Sequence, residues 1–443
     1  MNRRVVITGL GVVSPLGNSH QALWDALSAG RSGVAPLVNL PVLEGRVAFA
    51  GECRDFTGEI ENFGELEKDL KKAIRKALKM MCRESMMAVA AAQQAIVDGG
   101  FGSTPMDPDT SGVVFGSDYM LSPPDDFQTA MATCGTTAGK FEYDKWGGDG
   151  LKGMNPLWML NYLPNMPGSH IAIFNNLCGP NNSLTMREAS GLLSIREATQ
   201  TIARGHAERM IAGATGTRIH SFKTVHALQQ EQLANSELPP AEASRPFDAN
   251  RTGMVIGEGA GAILLEEYDA AKARGARIYG EVVGTSSTTV FRVHGASVKQ
   301  ANAASGEQAL ESAARHALSD AKMQPSELGH VNAHALGTPA GDAEEARALA
   351  RALGEAGATI PVVAAKSYFG NLGAGSGVVE TIASVLALQH GNLFPTLNYE
   401  TADPAFVLNV ASRAKPQAAG TSFLKLSATP QGQATGIVVR RAP

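Results

Sequence analysis

Cysteine is scarce in this chain. Only Cys53, Cys82, Cys134 and Cys178 occur, and no two have a paired spacing. That excludes a disulfide framework and a zinc knuckle, and it suits buried free thiols in a reducing compartment. Long apolar runs are also missing, so no segment reads as a membrane span. Met1-Asn2-Arg3-Arg4 leads into a strand-like run with no apolar signal core, and a cytoplasmic location is the expectation. An excess of one charge is lacking too: at −4 the net charge supplies no basic field to hold nucleic acid. Aromatics are few, 6%, whereas glycines number 48, a balance that fits an α/β protein with many close backbone approaches.

What is present is length and apolar content. At 443 residues, 44% of them hydrophobic, the chain is long enough for a large core shared by two subdomains. Arg3–Val13 reads as a buried strand, and Pro15-Leu16-Gly17-Asn18 turns into a helix over about His20–Ala29. Lys68–Val97 carries a long helical pattern. Its basic first part (Lys71, Lys72, Arg75, Lys76, Lys79) is a solvated face or a dock for an acidic partner. Gly112–Gly116, His170–Phe174 and Arg209–Ala214 read as short strands, whereas 119–166 has no clear period and reads as an insertion or lid. Leu192, Ile195, Ala198 and Ile202 recur at helical spacing after Glu188. Gly257-Glu258-Gly259-Ala260-Gly261 superficially matches a dinucleotide fingerprint, but it leads into the apolar strand Ala262-Ile263-Leu264-Leu265 and not a helix.

The alternation then begins again. Strands are expected at Ile278–Val283, His330–Asn332, Val362–Ala365 and near Gly436–Val439, with helices at Gly306–Ala321, Asp342–Leu353 and Gly377–Gln389. The pattern divides the chain into two related α/β halves, 1–270 (with the insertion) and 271–443.

Arg4-Val5-Val6-Ile7-Thr8-Gly9-Leu10-Gly11, Leu163-Pro164-Asn165-Met166, and Arg245-Pro246-Phe247-Asp248-Ala249-Asn250-Arg251 continuing to Gly257-Glu258-Gly259-Ala260-Gly261 are three distinctive stretches. Together they resemble the elongating β-ketoacyl-acyl-carrier-protein synthases of the thiolase-fold superfamily. The resemblance implies two pseudo-duplicated halves stacked as five layers, α-β-α-β-α. It also implies a homodimer, or a heterodimer with a cysteine-bearing ketosynthase, made through the central strands. No permanently bound cofactor or metal is implied. The substrate carrier would be the phosphopantetheine arm of an acyl carrier protein, with Thr338 in the pantetheine region.

The resemblance also exposes departures. The nucleophile segment Gly179-Pro180-Asn181, six residues, then Ala189-Ser190-Gly191 has Glu188 where that family has its catalytic cysteine. A carboxylate cannot be acylated and then pass the chain to a carbanion as a thiolate does. Val331-Asn332-Ala333-His334 keeps the first histidine, but Leu336 replaces a threonine. Lys366-Ser367-Tyr368-Phe369-Gly370 keeps the lysine motif, Asn371 stands for the second histidine, and Glu380 falls on the supporting glutamate. Thr429-Pro430-Gln431-Gly432 takes the place of a glycine-rich turn, putting a proline, which has no N–H, at an oxyanion-hole position.

A buried carboxylate needs a partner. His334 is the expected one, with Arg187 next, and the pair would hold His334 as imidazolium with a raised pKa. The bland alternative makes Glu188 a helix-terminal residue. Asn371 either donates a hydrogen bond or fills the histidine's volume. Cys178 reads as a small buried hydrophobe and not a relocated nucleophile. His220, His226 and His294 read as structural or surface residues. Three functions stay open: a non-condensing, chain-length-factor-like partner of an active ketosynthase in fatty acid or polyketide synthesis; an enzyme using Glu188 as general base with His334 on acyl thioesters; and ordinary condensation.

Overall fold

The computed structural model describes residues 3–40, 46–135, 139–290 and 298–442. Eleven strands form its main sheet: β1 (Val5–Val13), β2 (Ser111–Ser117), β3 (Asn181–Leu184), β4 (Arg209–Thr217), β5 (Glu258–Glu267), β6 (Gly280–Thr289), β7 (His330–Asn332), β8 (Pro361–Val363), β9 (Asn409–Val410), β10 (Ser422–Ala428) and β11 (Gln433–Arg440). Their order is β9-β8-β7-β10-β11-β6-β1-β5-β4-β2-β3. The two halves of this sheet follow one plan. In the first, β1 pairs antiparallel with β5, β5 antiparallel with β4, and β4, β2 and β3 run parallel. In the second, β6, β11, β10, β7 and β8 repeat those directions in turn, with β9 added at the edge. Among the described residues the two half-sheets pair strand to strand where Val6 faces Glu281 and Ile7 faces Gly280.

Helices complete the layers. α1 (Arg83–Ile96) and α2 (Met166–Asn175) cover the outer face of the first half-sheet, and α4 (Val298–Ala321) and α5 (Pro339–Leu353) that of the second. Between the half-sheets lie α3 (Ser190–Ala203) and α6 (Ser376–His390), each packed against strands of both. Residues Ser376 to Leu388 of α6 are all buried, as a helix apolar on every side must be. The result is the five-layer α-β-α-β-α fold. Its tight layers need glycine at particular points. A Cβ at Gly9 or Gly11 of β1 would strike the Ala95 or Ala91 carbonyl of α1.

Three expectations are corrected. His170–Phe174 lies inside helix α2, because Pro167 and Gly168 sit in its first turn, where they cost little. The long pattern Lys68–Val97 breaks at Met81-Cys82 into two helices, Lys68–Ala77 and α1. Strand pairing with a second chain is closed to the central strands, which already have neighbours on both sides; the free edges are β3 and β9. β10, which carries Lys425, has no counterpart among the expected strands. No helix among the described residues is long and apolar enough to cross a membrane. His294 lies outside the described residues.

Candidate functional site

Three chain segments converge in the middle layers. The first is the turn before α3. Arg187–Ala189 forms a single 3-10 turn that runs into α3, with Arg187 in the left-handed region at φ 48°. Such backbone in a non-glycine residue is strained and is held by its surroundings. Here Ser190 Oγ accepts the Met186 N–H at 2.7 Å, while the Arg187 guanidinium is anchored on Glu231 and Gln230.

Glu188 is buried, and its carboxylate turns to Arg218, the first residue after β4. Arg187 Nε lies 3.3 Å from its second oxygen, and Asn371 Nδ2 donates to the first at 3.0 Å. Burial alone would raise this carboxyl's pKa. Arg218, then Arg187 and the Asn371 amide, hold it far below the usual carboxylate range instead. The partner of Glu188 is thus Arg218, and no hydrogen bond or ion pair with His334 forms among the described residues. Arg218 was not legible as a site residue. The one available signal was an arginine directly after the small-residue strand end Gly213-Ala214-Thr215-Gly216-Thr217.

The charges continue inward. Arg218 is 3.9 Å from the buried Asp118, and Lys223 is ion-paired with Glu84. Arg83 binds Glu258 through Nε at 2.9 and 3.0 Å, so the glutamate within the glycine-rich stretch serves an internal ion pair. An interior built of paired charges of both signs costs desolvation that only mutual pairing offsets.

His334 follows β7, on a turn through Ala335 (φ 46°) and Gly337 (φ 80°). Glu345 accepts the His334 and Ala335 N–H groups at 2.6 and 2.7 Å, and Asp342 accepts that of Gly337 at 2.9 Å. Burial first, then Lys366 and Lys425, push the imidazole pKa well below normal. Its Nδ1 has no hydrogen-bond partner among the described residues, so an imidazolium would leave a buried N–H unsatisfied. The expected imidazolium is therefore corrected to a neutral ring, because burial disfavours the charged form and Lys366 and Lys425 add to that against the opposing pull of Glu188.

The third segment supplies Lys366, Asn371 and Glu380. Lys366 Nζ sits 2.7 Å from Glu380 Oε1 and donates to the His334 carbonyl at 2.6 Å. Asn371 is a donor to Glu188 and also to Met254 Sδ at 3.1 Å, while its Oδ1 accepts from Gly373 N and Ser376 Oγ, each at 3.1 Å. It is a wired group and not a filler. Thr338 caps α5 through the Gly341 N–H at 3.2 Å, and the partly buried Leu336 packs on an apolar cluster with Met254 and Ile256. Pro430 sits in the hairpin turn between β10 and β11, and the two strands pack against the Arg187–Ala189 turn.

The family models "beta-ketoacyl synthase, N-terminal domain" and "beta-ketoacyl synthase, C-terminal domain" match residues 2–271 and 279–400. The chain belongs to the β-ketoacyl synthase family. It is 34% identical over 403 residues to 3-oxoacyl-[acyl-carrier-protein] synthase 2 of Synechocystis, covering 91% of this chain and 89% of that one. Among solved structures it resembles a β-ketoacyl synthase from Burkholderia phymatum, at TM-score 0.84 and 28% identity over the full length of both. It also resembles the ishigamide ketosynthase/chain length factor, at TM-score 0.79 and 26% identity, again over 100% of each chain.

Against this ketosynthase fold the other sequence candidates settle simply. His220 caps helix Ser221–Gln230 through the Phe222 N–H at 3.2 Å, and His226 Nδ1 lies 3.0 Å from the Tyr119 hydroxyl. Cys53 and Cys134 are buried and Cys82 is half-buried, but Cys178 is exposed, contrary to its reading as a buried hydrophobe. It falls in the loop between α2 and β3. Iodoacetamide is therefore expected to alkylate Cys178 first in the native protein and to leave Cys53 and Cys134 untouched until unfolding. Peptide mass mapping checks this, and early label on Cys53 would contradict it.

Proposed function

We propose that this chain is a non-condensing member of the ketosynthase family, acting as a chain-length-factor-like partner of a cysteine-bearing ketosynthase in fatty acid or polyketide synthesis. One observation carries the reading. At the position where the resemblance expects the nucleophilic cysteine, a carboxylate is spoken for by Arg218, Arg187 and Asn371. A thiolate forms a thioester and then releases its acyl group to a carbanion; a carboxylate locked in ion pairs does neither. With Asn371 for the second histidine and Pro430 in the oxyanion turn, the condensing machinery is lost in several parts together. Proton abstraction by Glu188 fits less well, since a carboxylate held far below neutral pKa is a weak base.

In this reading the partner is an acyl carrier protein together with a second thiolase-fold chain. The basic helix Lys68–Ala77 exposes Lys72, Arg75 and Lys76 toward an acidic carrier, whose phosphopantetheine arm would pass Thr338. β3 is an open edge, and the exposed Ile173 of the adjoining α2 and exposed Met186 lie beside it, a surface suited to a second chain. The halves 1–270 and 271–443 would descend from one duplicated unit. The test is co-expression with a ketosynthase that has its cysteine. A co-purifying heterodimer whose product length changes with variants of this chain is the expected result. A stable homodimer that forms β-ketoacyl product alone, with a covalent acyl adduct, would overturn it.

A further inference from the structure

Glu380 on α6 is fully buried and carries two ammonium groups, not one. Lys366 takes one oxygen, as the resemblance implies, and Lys425 of β10 takes the other. Each lysine also donates to a backbone carbonyl, and the two carbonyls are consecutive. Lys366 reaches that of His334 at 2.6 Å and Lys425 that of Ala333 at 2.9 Å. From the other side Glu345 holds the His334 and Ala335 amides. The turn that presents His334 is thus gripped on its carbonyls by cations and on its amides by an anion.

The arrangement is costly unless it serves a purpose. One lysine and one glutamate would form a neutral pair, whereas a second buried lysine has to be balanced at longer range by the buried Glu345. A methionine or leucine in a strand of sequence Ser-Phe-Leu-Lys-Leu-Ser-Ala would fill the same space without that penalty. We infer that Lys425 is a positioning residue: it fixes the Ala333 carbonyl and, with Lys366, sets a positive field behind the His334 imidazole. The uncharged ring is then the resting form, with one ring nitrogen an N–H donor and the other an acceptor. The charged groups acting on this ring are Lys366 and its neighbour Glu380, Lys425 on β10, Glu345 on α5, and Glu188 and Arg187 at the start of α3. Burial brings the Lys425 ammonium down to about 8, with Glu380 opposing and Lys366 assisting. The field behind His334 therefore weakens as pH rises past that value. This role does not depend on whether the chain condenses, so it stands or falls apart from the proposed function.

The test is imidazole ¹⁵N NMR of the full-length protein, with the His334 signal assigned by its loss in His334→Asn. In wild type His334 is expected to titrate well below the ordinary imidazole range, and its ring shift is expected to inflect near pH 8 as Lys425 deprotonates. In Lys425→Met the inflection near pH 8 disappears and the proton affinity of His334 rises about tenfold, which is one pH unit. If Lys425→Met lowers the melting temperature but leaves the His334 titration where it was, Lys425 is only a packing residue and the inference fails. Should that variant not fold, the wild-type titration decides alone: a His334 shift flat between pH 7 and 9 also overturns it.

Discussion

Replacing Glu188 by alanine is expected to destabilise the protein by about 3–5 kcal/mol, the usual cost of leaving a buried charge without its partner. Arg218 is the reason. Its side chain is 3% exposed, and without Glu188 the ion pair left to it among the described residues is Asp118, at 3.9 Å, with Glu231 at longer range. Arg187 suffers less because it retains Glu231 and Gln230. Glu188→Gln should lose less than the alanine variant, since an amide oxygen still accepts from Arg218 and Asn371. The alanine variant leaves a gap of carboxylate size lined by two guanidinium groups. Formate should enter it and raise the melting temperature well above that in equal chloride, while leaving wild type unmoved. The pH dependence has a definite sign. The folded-state pKa of Glu188 is depressed, so its stabilisation is present above the unfolded value near 4.5 and fades as pH falls below it. The gap between wild type and Glu188→Ala measured by urea unfolding should therefore narrow in acid. A loss under about 1 kcal/mol at pH 7 would mean that Arg218 finds other partners readily.

Glu380→Gln is expected to be comparably severe at pH 7, again about 3–5 kcal/mol, because two buried ammonium groups lose the carboxylate they are directly ion-paired with. Here the loss is expected to shrink toward alkaline pH, where that of Glu188→Ala shrinks toward acid. In wild type the Lys425 pKa is lowered from 10.5 to about 8, so the unfolded chain binds more protons across that window and stability rises with pH. Without Glu380 the folded-state Lys425 sheds its proton still more readily. The variant should therefore recover part of its loss between pH 7 and 10, unlike Glu188→Ala. Chemical denaturation at pH 7, 8.5 and 10 would show this, and a variant whose loss stays constant across the series would contradict it.

These variants touch a site that the sequence exposed unevenly. Glu188, His334, Lys366, Asn371 and Glu380 were all legible, because each falls inside a motif with a fixed local register. The alternation of strands and helices was equally clear wherever apolar periodicity was strong, as in β1, β4, β7, α5 and α6. It misled at His170–Phe174, where an apolar run is too short for its period to separate strand from helix. It was silent at β10, whose Lys425 interrupts an otherwise apolar strand.

Which residue pairs with which was a different matter. Arg218 stands 30 positions from Glu188, and Lys425 stands 45 from Glu380. Neither distance along the chain carries any trace of the contact, since both pairs meet only when the five layers stack. The sequence by itself pointed to the family, laid out the alternating architecture, and put a carboxylate where the resemblance expects the nucleophile. The tertiary structure decided that this carboxylate belongs to Arg218 and not His334, and buried His334 beside Lys366 and Lys425, which disfavours its charged form. The physical reason is burial. Between two half-sheets every charge must find an opposite one, and the partner available is set by which elements pack together, not by which residues are neighbours in the chain.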